Sequence, residues 1–294
     1  MSKTIFKGSG VAIVTPFNEN GVNFDVLDEL IEFQIQNHTD AIIITGTTGE
    51  ASTMTDEDQI EAIHHTVMTV NHRVPVIAGC GSNDTKHGAE LSRMAENAGA
   101  DALLSVTPYY NKTTQKGLIE HYKRICGAVS VPVILYNVPG RTGMNLKPET
   151  VASIMDACGN VVGVKECNFD QVGEIIRLCG EDVQVFSGED AMAVPLMSLG
   201  GSGVISVLAN VAPAYVSEMM HACLEGDYQK AGKMQVKALP MVSALFCETS
   251  PIPVKEALNQ MGFAVGECRL PLTTMEEANK EKLIKAMKEF GLLA

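Results

Sequence analysis

Through residue 206, short apolar runs alternate with longer stretches in which apolar residues recur every three or four positions. The runs are Val11–Thr15, Ala41–Thr45, Val76–Cys80, Ala102–Val106, Val133–Asn137, Val161–Glu166, Gln184–Ser187 and Gly203–Ser206. None shows the polar/apolar alternation of a half-exposed antiparallel strand, so each predicts a strand covered on both faces. The longer stretches carry helix start and stop signals. Asp25 precedes Leu27, Leu30 and Ile31, and Thr55-Asp56-Glu57-Asp58 resembles a capping box ahead of Ile60, Ile63 and Val67. Gly99, in Asn97-Ala98-Gly99-Ala100-Asp101, suits the position just past a helix end.

Alternations of this kind, joined by right-handed crossovers, close most naturally into an α/β (β/α)8 TIM barrel. An open doubly wound sheet is the competitor, weakened because no G-x-G-x-x-G or G-x-x-x-x-G-K-[ST] follows any strand. Gly8-Ser9-Gly10 and Gly200-Gly201-Ser202-Gly203 precede strands and read as turns. Beyond Ala212 only helical patterns remain: Ala214–Leu224, Tyr228–Phe246 with Pro240 as an expected kink, Pro253–Met261 and Met275–Phe290. The expected organisation is a catalytic barrel over 1–226 and a C-terminal α-helical domain over 227–294.

The chain has 294 residues, 46% hydrophobic and 19% charged, which are globular values. Its net charge of −13 repels phosphate backbones and anionic lipid, so nucleic acid and membrane are poor partners. The N-terminus lacks the apolar core of a signal peptide, and no apolar run approaches the roughly 20 residues of a membrane span. Eight cysteines include no C-x-x-C pair and no His/Cys cluster at metal-ligand spacing. Free thiols in a reducing cytoplasm are the simplest account.

Candidate chemistry gathers at the strand ends, where a parallel barrel binds its ligands. Lys165 ends the apolar run Val161-Val162-Gly163-Val164. A partly desolvated amine there is available as a nucleophile; the alternative is a rim lysine paired with Glu166. Gly46-Thr47-Thr48-Gly49-Glu50 offers donors suited to a small carboxylate, or is simply a hydroxyl-rich turn. Tyr136 could pass a proton and Arg141 could grip a carboxylate through two parallel hydrogen bonds. Thr107-Pro108-Tyr109-Tyr110-Asn111 is weak by itself. Gly188 permits close backbone approach to a ligand. Glu189 and Asp190 could be paired carboxylates, but an acid-rich helix N-terminus explains them more cheaply. Cys167 lacks a recognisable histidine partner for thiol catalysis. An amine, a phenol, a hydroxyl-rich loop and an arginine together describe Schiff-base chemistry on a keto acid, with no cofactor and no metal signalled.

Three segments, Gly46-Thr47-Thr48-Gly49-Glu50, Tyr136-Asn137-Val138-Pro139-Gly140-Arg141-Thr142-Gly143 and Gly163-Val164-Lys165-Glu166, give the chain a family likeness. It resembles the pyruvate-dependent class I aldolases typified by dihydrodipicolinate synthase and N-acetylneuraminate lyase. The resemblance implies that Lys165 forms an imine with pyruvate while Tyr136 relays protons. Thr47 would link Tyr136 to Tyr110 of a neighbouring subunit, so a homo-oligomer is implied, a dimer of dimers by family habit. Thr47 and Thr48 would hold the pyruvate carboxylate, and Gly188 and Ile205 would line the pocket through their backbones. Arg141 and the Thr-Thr pair point to the branch whose second substrate, L-aspartate-4-semialdehyde, presents a carboxylate, in lysine and diaminopimelate biosynthesis. Another pyruvate aldolase, acting on N-acetylneuraminate or a 2-keto-3-deoxy acid, and a non-catalytic keto-acid-binding barrel remain alternatives.

One departure concerns feedback. Relatives inhibited by lysine bind it at the dimer interface through a Ser, a His and a Glu, where this chain has Ala51, Asp56 and His87; Tyr109 and Asn83 remain. The expectation is weak or absent inhibition by lysine.

Overall fold

The computed structural model describes residues 4–180 and 183–294. Among these, eight parallel strands close into a barrel in chain order. They are β1 (Gly8–Ala12), β2 (Ala41–Ile44), β3 (Val76–Gly79), β4 (Ala102–Val106), β5 (Val133–Asn137), β6 (Val161–Glu166), β7 (Gln184–Ser187) and β8 (Gly203–Ser206). Closure comes from β1, which pairs with β2 (Gly10↔Ala41) on one side and with β8 (Gly8↔Gly203) on the other.

Successive residues of each strand face opposite layers. Ile43, Ile77, Leu104, Ile134, Tyr136, Phe186 and Ile205 fill the interior together with Phe6, which stacks on Phe186 at 4.4 Å between centroids. Ile42, Ile44, Leu103, Leu135 and Val164 face outward into a second core under the helices. Both faces are therefore apolar, which is why the strands read as continuous hydrophobic runs.

The first strand begins three residues earlier than its hydrophobic run suggests. Gly8-Ser9-Gly10 is strand, not turn, whereas Gly203 opens β8 as the run Gly203–Ser206 predicts, with the turn confined to the residues before it. A Cβ on Gly203 would stand 2.1 Å from the Gly8 carbonyl oxygen, so the two strands approach closely only because the side chain is missing. Close approach and tight turning both demand glycine, and sequence does not separate them.

The helices that follow the strands are α1 (Phe24–Gln36), α2 (Asp56–Val70), α3 (Thr85–Asn97), α4 (Gln115–Cys126), α5 (Pro148–Ala157), α6 (Val172–Cys179), α7 (Ala193–Ser198) and α8 (Pro213–Leu224). Thr55 caps α2 by accepting from the Asp58 N–H at 3.1 Å, as its capping-box pattern predicts. For α1 the cap is Asn23, and Asp25 falls in the first turn. Ala98 ends α3, followed by Gly99 at φ +98°.

The C-terminal extension consists of α9 (Tyr228–Leu245), α10 (Ile252–Gln260) and α11 (Glu277–Phe290). Helix α9 runs through Pro240 without interruption and packs on α8 and α11. Among the described residues no helix is long and apolar enough to cross a membrane.

Candidate active site

The C-terminal strand ends and the loops after them enclose a cavity of about 390 Å³. Its wall includes Thr47 from the loop after β2, Tyr136 from the end of β5 and Arg141 from a single helical turn, Pro139–Thr142, that follows. Lys165, the penultimate residue of β6, is not in that wall. It is 6% exposed, and its Nζ lies 4.5 Å from the centroid of the Tyr136 ring. The register that pairs Tyr136 with Lys165 across β5 and β6 brings them together.

Lys165 and Glu166 face opposite sides of their strand. Glu166 is engaged elsewhere, accepting from Asn137 Nδ2 at 2.8 Å, the Asn168 N–H at 2.6 Å and Gln171 Nε2 at 2.8 Å. Burial pushes its carboxyl up to about 7 against the pull of those donors. The picture of a rim lysine paired with Glu166 therefore fails. No hydrogen bond or ion pair holds Lys165 Nζ among the described residues.

Burial lowers the pKa of Lys165, with Cys167, Asp190 and Glu189 opposing and Arg141 assisting. An amine in this setting is uncharged more often than a surface lysine, which is what attack on a carbonyl requires. Burial also raises the Tyr136 phenol, which stays protonated at neutral pH. The Thr47 side chain draws it back down, although no well-formed hydrogen bond closes between them within one chain. The Cys167 thiol, two residues from Lys165, is pushed up to about 12 by burial and is a poor thiolate.

The hydroxyl-rich loop is held from below. Thr15 Oγ1 donates to the Gly49 carbonyl at 2.7 Å, and the Glu50 N–H donates to the Thr47 carbonyl at 3.1 Å. Thr48 is buried beside the exposed Thr47. Arg141 is exposed, and its Nη2 donates to the Ser250 carbonyl at 3.2 Å. A Cβ on Gly188 would meet Lys165 Cε at 3.3 Å and Cys167 Sγ at 2.3 Å, so only glycine fits beside the lysine. Ile205 is buried in the interior cluster that also contains Tyr136.

Tyr110 stands apart. It is 91% exposed and sits at φ +69°, a left-handed conformation that a tyrosine rarely adopts. Its loop is pinned by Asn83 Nδ2 donating to the Tyr109 carbonyl at 3.1 Å and Asn111 Nδ2 donating to the Asn83 carbonyl at 3.0 Å.

Two acids matter more than their sequence context indicates. Asp190 is fully buried and accepts from Ser206 Oγ and from the Val207 and Leu208 N–H groups at 2.9 and 3.0 Å. Glu189 is partly buried near Cys167, Lys165 and Arg141, and burial raises its carboxyl. Their position straight after a strand is the signal that raises them as possible paired carboxylates, against the cheaper reading of an acid-rich helix start.

His87, Asp56 and Ser82 also line the cavity; His87 Nε2 lies 2.9 Å from Asp56 Oδ2, and its Nδ1 is 3.1 Å from Ser82 Oγ.

The chain matches the dihydrodipicolinate synthetase family model over residues 5–290. It is 58% identical over 293 residues to a 4-hydroxy-tetrahydrodipicolinate synthase of Acetivibrio thermocellus, covering 100% of both chains. The crystal structure of the dihydrodipicolinate synthase of Aquifex aeolicus superposes with a TM-score of 0.96 at 43% identity, covering 98% of this chain and 99% of that one. A chloride-inhibited dihydrodipicolinate synthase of Acinetobacter baumannii complexed with pyruvate gives a TM-score of 0.96 at 43% identity, covering 99% of this chain and 100% of that one.

Proposed function

The chain belongs to the dihydrodipicolinate synthetase family, and from that premise we propose that it condenses pyruvate with L-aspartate-4-semialdehyde through an imine at Lys165. The activity is that of a 4-hydroxy-tetrahydrodipicolinate synthase, a lyase acting by aldol-type condensation in lysine and diaminopimelate biosynthesis.

Lys165 Nζ adds to the pyruvate ketone, and loss of water gives the imine. The iminium draws electrons from the neighbouring methyl group, which loses a proton and becomes an enamine carbon nucleophile. That carbon attacks the aldehyde. The amino group of the semialdehyde then displaces Lys165 from the imine carbon, closing the ring and regenerating the amine, with one water released overall. Tyr136, its phenol kept protonated by burial, relays the protons. Thr47 and Thr48 hold the pyruvate carboxylate, Arg141 takes the carboxylate of the semialdehyde, and Gly188 and Ile205 bound the pocket. One observation carries this reading: a buried amine, without a hydrogen-bond partner among the described residues, against a tyrosine ring in the wall of a cavity.

Tyr110 of a second copy of the chain completes the relay through Thr47. Its exposure and left-handed backbone favour a role outside its own subunit. The assembly is then at least a dimer, and a dimer of dimers on the family pattern, working in the cytoplasm. Residues 1–226 carry the chemistry and 227–294 form the appended helical domain. Inhibition by lysine is weak or absent, because Ala51 offers no hydroxyl and the Asp56 carboxylate is already engaged by His87.

Borohydride reduction in the presence of pyruvate tests the central step. The expected result is a pyruvate-derived mass on the peptide containing Lys165 and loss of activity. Labelling of any other lysine, or none, would remove the basis of the reading.

A further inference from the structure

Glu50 ends the loop that carries Thr47 and Thr48, and its side chain is buried, 2% exposed. Its Oε1 accepts from Lys255 Nζ at 2.8 Å, and its Oε2 accepts from the Arg269 N–H at 2.8 Å. Lys255, on α10, is equally buried. It gives a second hydrogen bond to the Glu267 carbonyl at 3.0 Å and places Nζ 4.5 Å from the centroid of Phe17. The pair joins residues 205 positions apart, one on the active-site loop and one in the C-terminal extension. An apolar pair of similar volume is often as stable in such a place, so stability alone does not account for it.

The backbone fixed by the pair is strained. Thr45 (φ +53°) and Glu50 (φ +57°) are both left-handed, where a residue with a Cβ stays only if its surroundings over-determine it. The Glu50 N–H donates to the Thr47 carbonyl, and Thr53 Oγ1 donates to the Glu50 carbonyl, each at 3.1 Å. Displacing Glu50 therefore displaces Thr47. The approach to the same helix also touches the cavity wall at Arg141: the Ser250 carbonyl, which accepts from Arg141 Nη2, stands two residues before the start of α10.

We propose that Lys255 and Glu50 are positioning residues, an ionic tie by which the C-terminal extension sets the Thr47 hydroxyl against the Tyr136 phenol for the proton transfers of the imine reaction. The inference rests on the reading of Lys165 as the imine-forming lysine. Neither residue touches substrate. Each acts through the turn from Gly46 to Glu50.

The test compares the full-length chain with Lys255→Met, Glu50→Gln and the double variant. Three quantities are read: borohydride trapping of pyruvate on Lys165, exchange of the pyruvate methyl protons for deuterium followed by proton NMR, and thermal melting. A misplacement of about 1 Å can cost about a hundredfold in rate. Methyl exchange should therefore fall by that order in all three variants, while the extent of trapping at saturating pyruvate and the pyruvate KM stay within about threefold. Each single variant leaves one buried partner without its counterpart and should melt earlier; the double variant should recover melting temperature but not exchange. That separation is not expected of a purely structural pair. Wild-type exchange in a folded variant would overturn the proposal, as would exchange that recovers together with melting temperature in the double variant. Failure of the unaltered chain to trap pyruvate would instead overturn the imine reading, and this proposal with it.

Discussion

Replacing Lys165 by methionine should make the protein more stable at neutral pH, although it abolishes the reaction. The lysine is 6% exposed, and its Nζ has no hydrogen bond or ion pair among the described residues. Its compensation is the Tyr136 face at 4.5 Å and the more distant charges of Glu189 and Asp190. Removing an ammonium from water costs several kcal/mol even after relaxation, and a desolvated cation–π contact returns about 2 kcal/mol. The penalty has a ceiling, because the amine can escape it by releasing its proton. From an ordinary pKa of 10.5, that release costs about 5 kcal/mol at pH 7. Methionine has nearly the same length and no charge, so the expected gain is about 1–4 kcal/mol. In a chain of this size that corresponds to roughly 2–8 °C in melting temperature. The sign with pH is fixed by the lowered pKa. Between the folded pKa and 10.5 the unfolded lysine holds the extra proton, so wild-type stability rises with pH across that window and the variant's advantage shrinks towards pH 10.5. Paired melts of both proteins at pH 7, 8, 9 and 10, at matched concentration, measure this. A variant less stable than wild type at pH 7, or an advantage that does not change with pH, would show that the amine is not held under a desolvation penalty.

Three further outcomes follow from the same geometry. Arg141→Ala should leave pyruvate trapping and methyl exchange within about threefold, while kcat/KM for the semialdehyde falls by about a hundredfold, the scale of a lost charge-assisted pair; steady-state assays varying each substrate separate the two effects. Glu189→Gln removes a negative charge that raises the Lys165 pKa, so the acid limb of a pH profile for pyruvate trapping should move to lower pH. A limb that moves up or stays fixed would place Glu189 outside the site. Lys165→Ala and Tyr110→Phe chains, each impaired alone, should regain activity when mixed and allowed to exchange subunits, because one site of the hybrid then has both residues intact; no recovery would confine Tyr110 to its own subunit or to no role.

The barrel was legible because a doubly covered strand has no polar alternation to hide, and seven of its eight strands start at the residue where the hydrophobic run starts. The exception, β1, opens on Gly8-Ser9-Gly10, where the two glycines answer to crowding by the Asp40 carboxylate at Gly8 and by Ile43 and Phe6 at Gly10. Lys165 and Tyr136 were legible for a related reason: a polar residue at the end of an apolar strand is conspicuous. Glu189 and Asp190 were not, since an acidic pair before a helix is ordinary at a helix start, and nothing local tells a solvated carboxylate from one buried beside an amine. Glu50 was visible only as the end of a loop motif. Its partner lies 205 residues away in a helix whose pattern reads as packing, and a pair at that separation leaves no periodic trace.

Lys165, Glu189, Asp190 and the Glu50–Lys255 pair are all buried or partly buried charges, and each lies at or just beyond the C-terminal end of a strand or on the extension that covers it. A core organised only for stability would have little use for them there. Their concentration is intelligible if the apolar interior, closed by Phe6 and Phe186, supplies a stability surplus that the rim consumes. The amine is kept away from water so that it can act as a nucleophile, and the carboxylates near it limit how far its pKa falls. The ionic tie holds a strained loop in the geometry needed for proton transfer. On this view the C-terminal extension belongs to the reaction apparatus, because removing its Lys255 would leave the barrel closed but release the loop on which Thr47 stands.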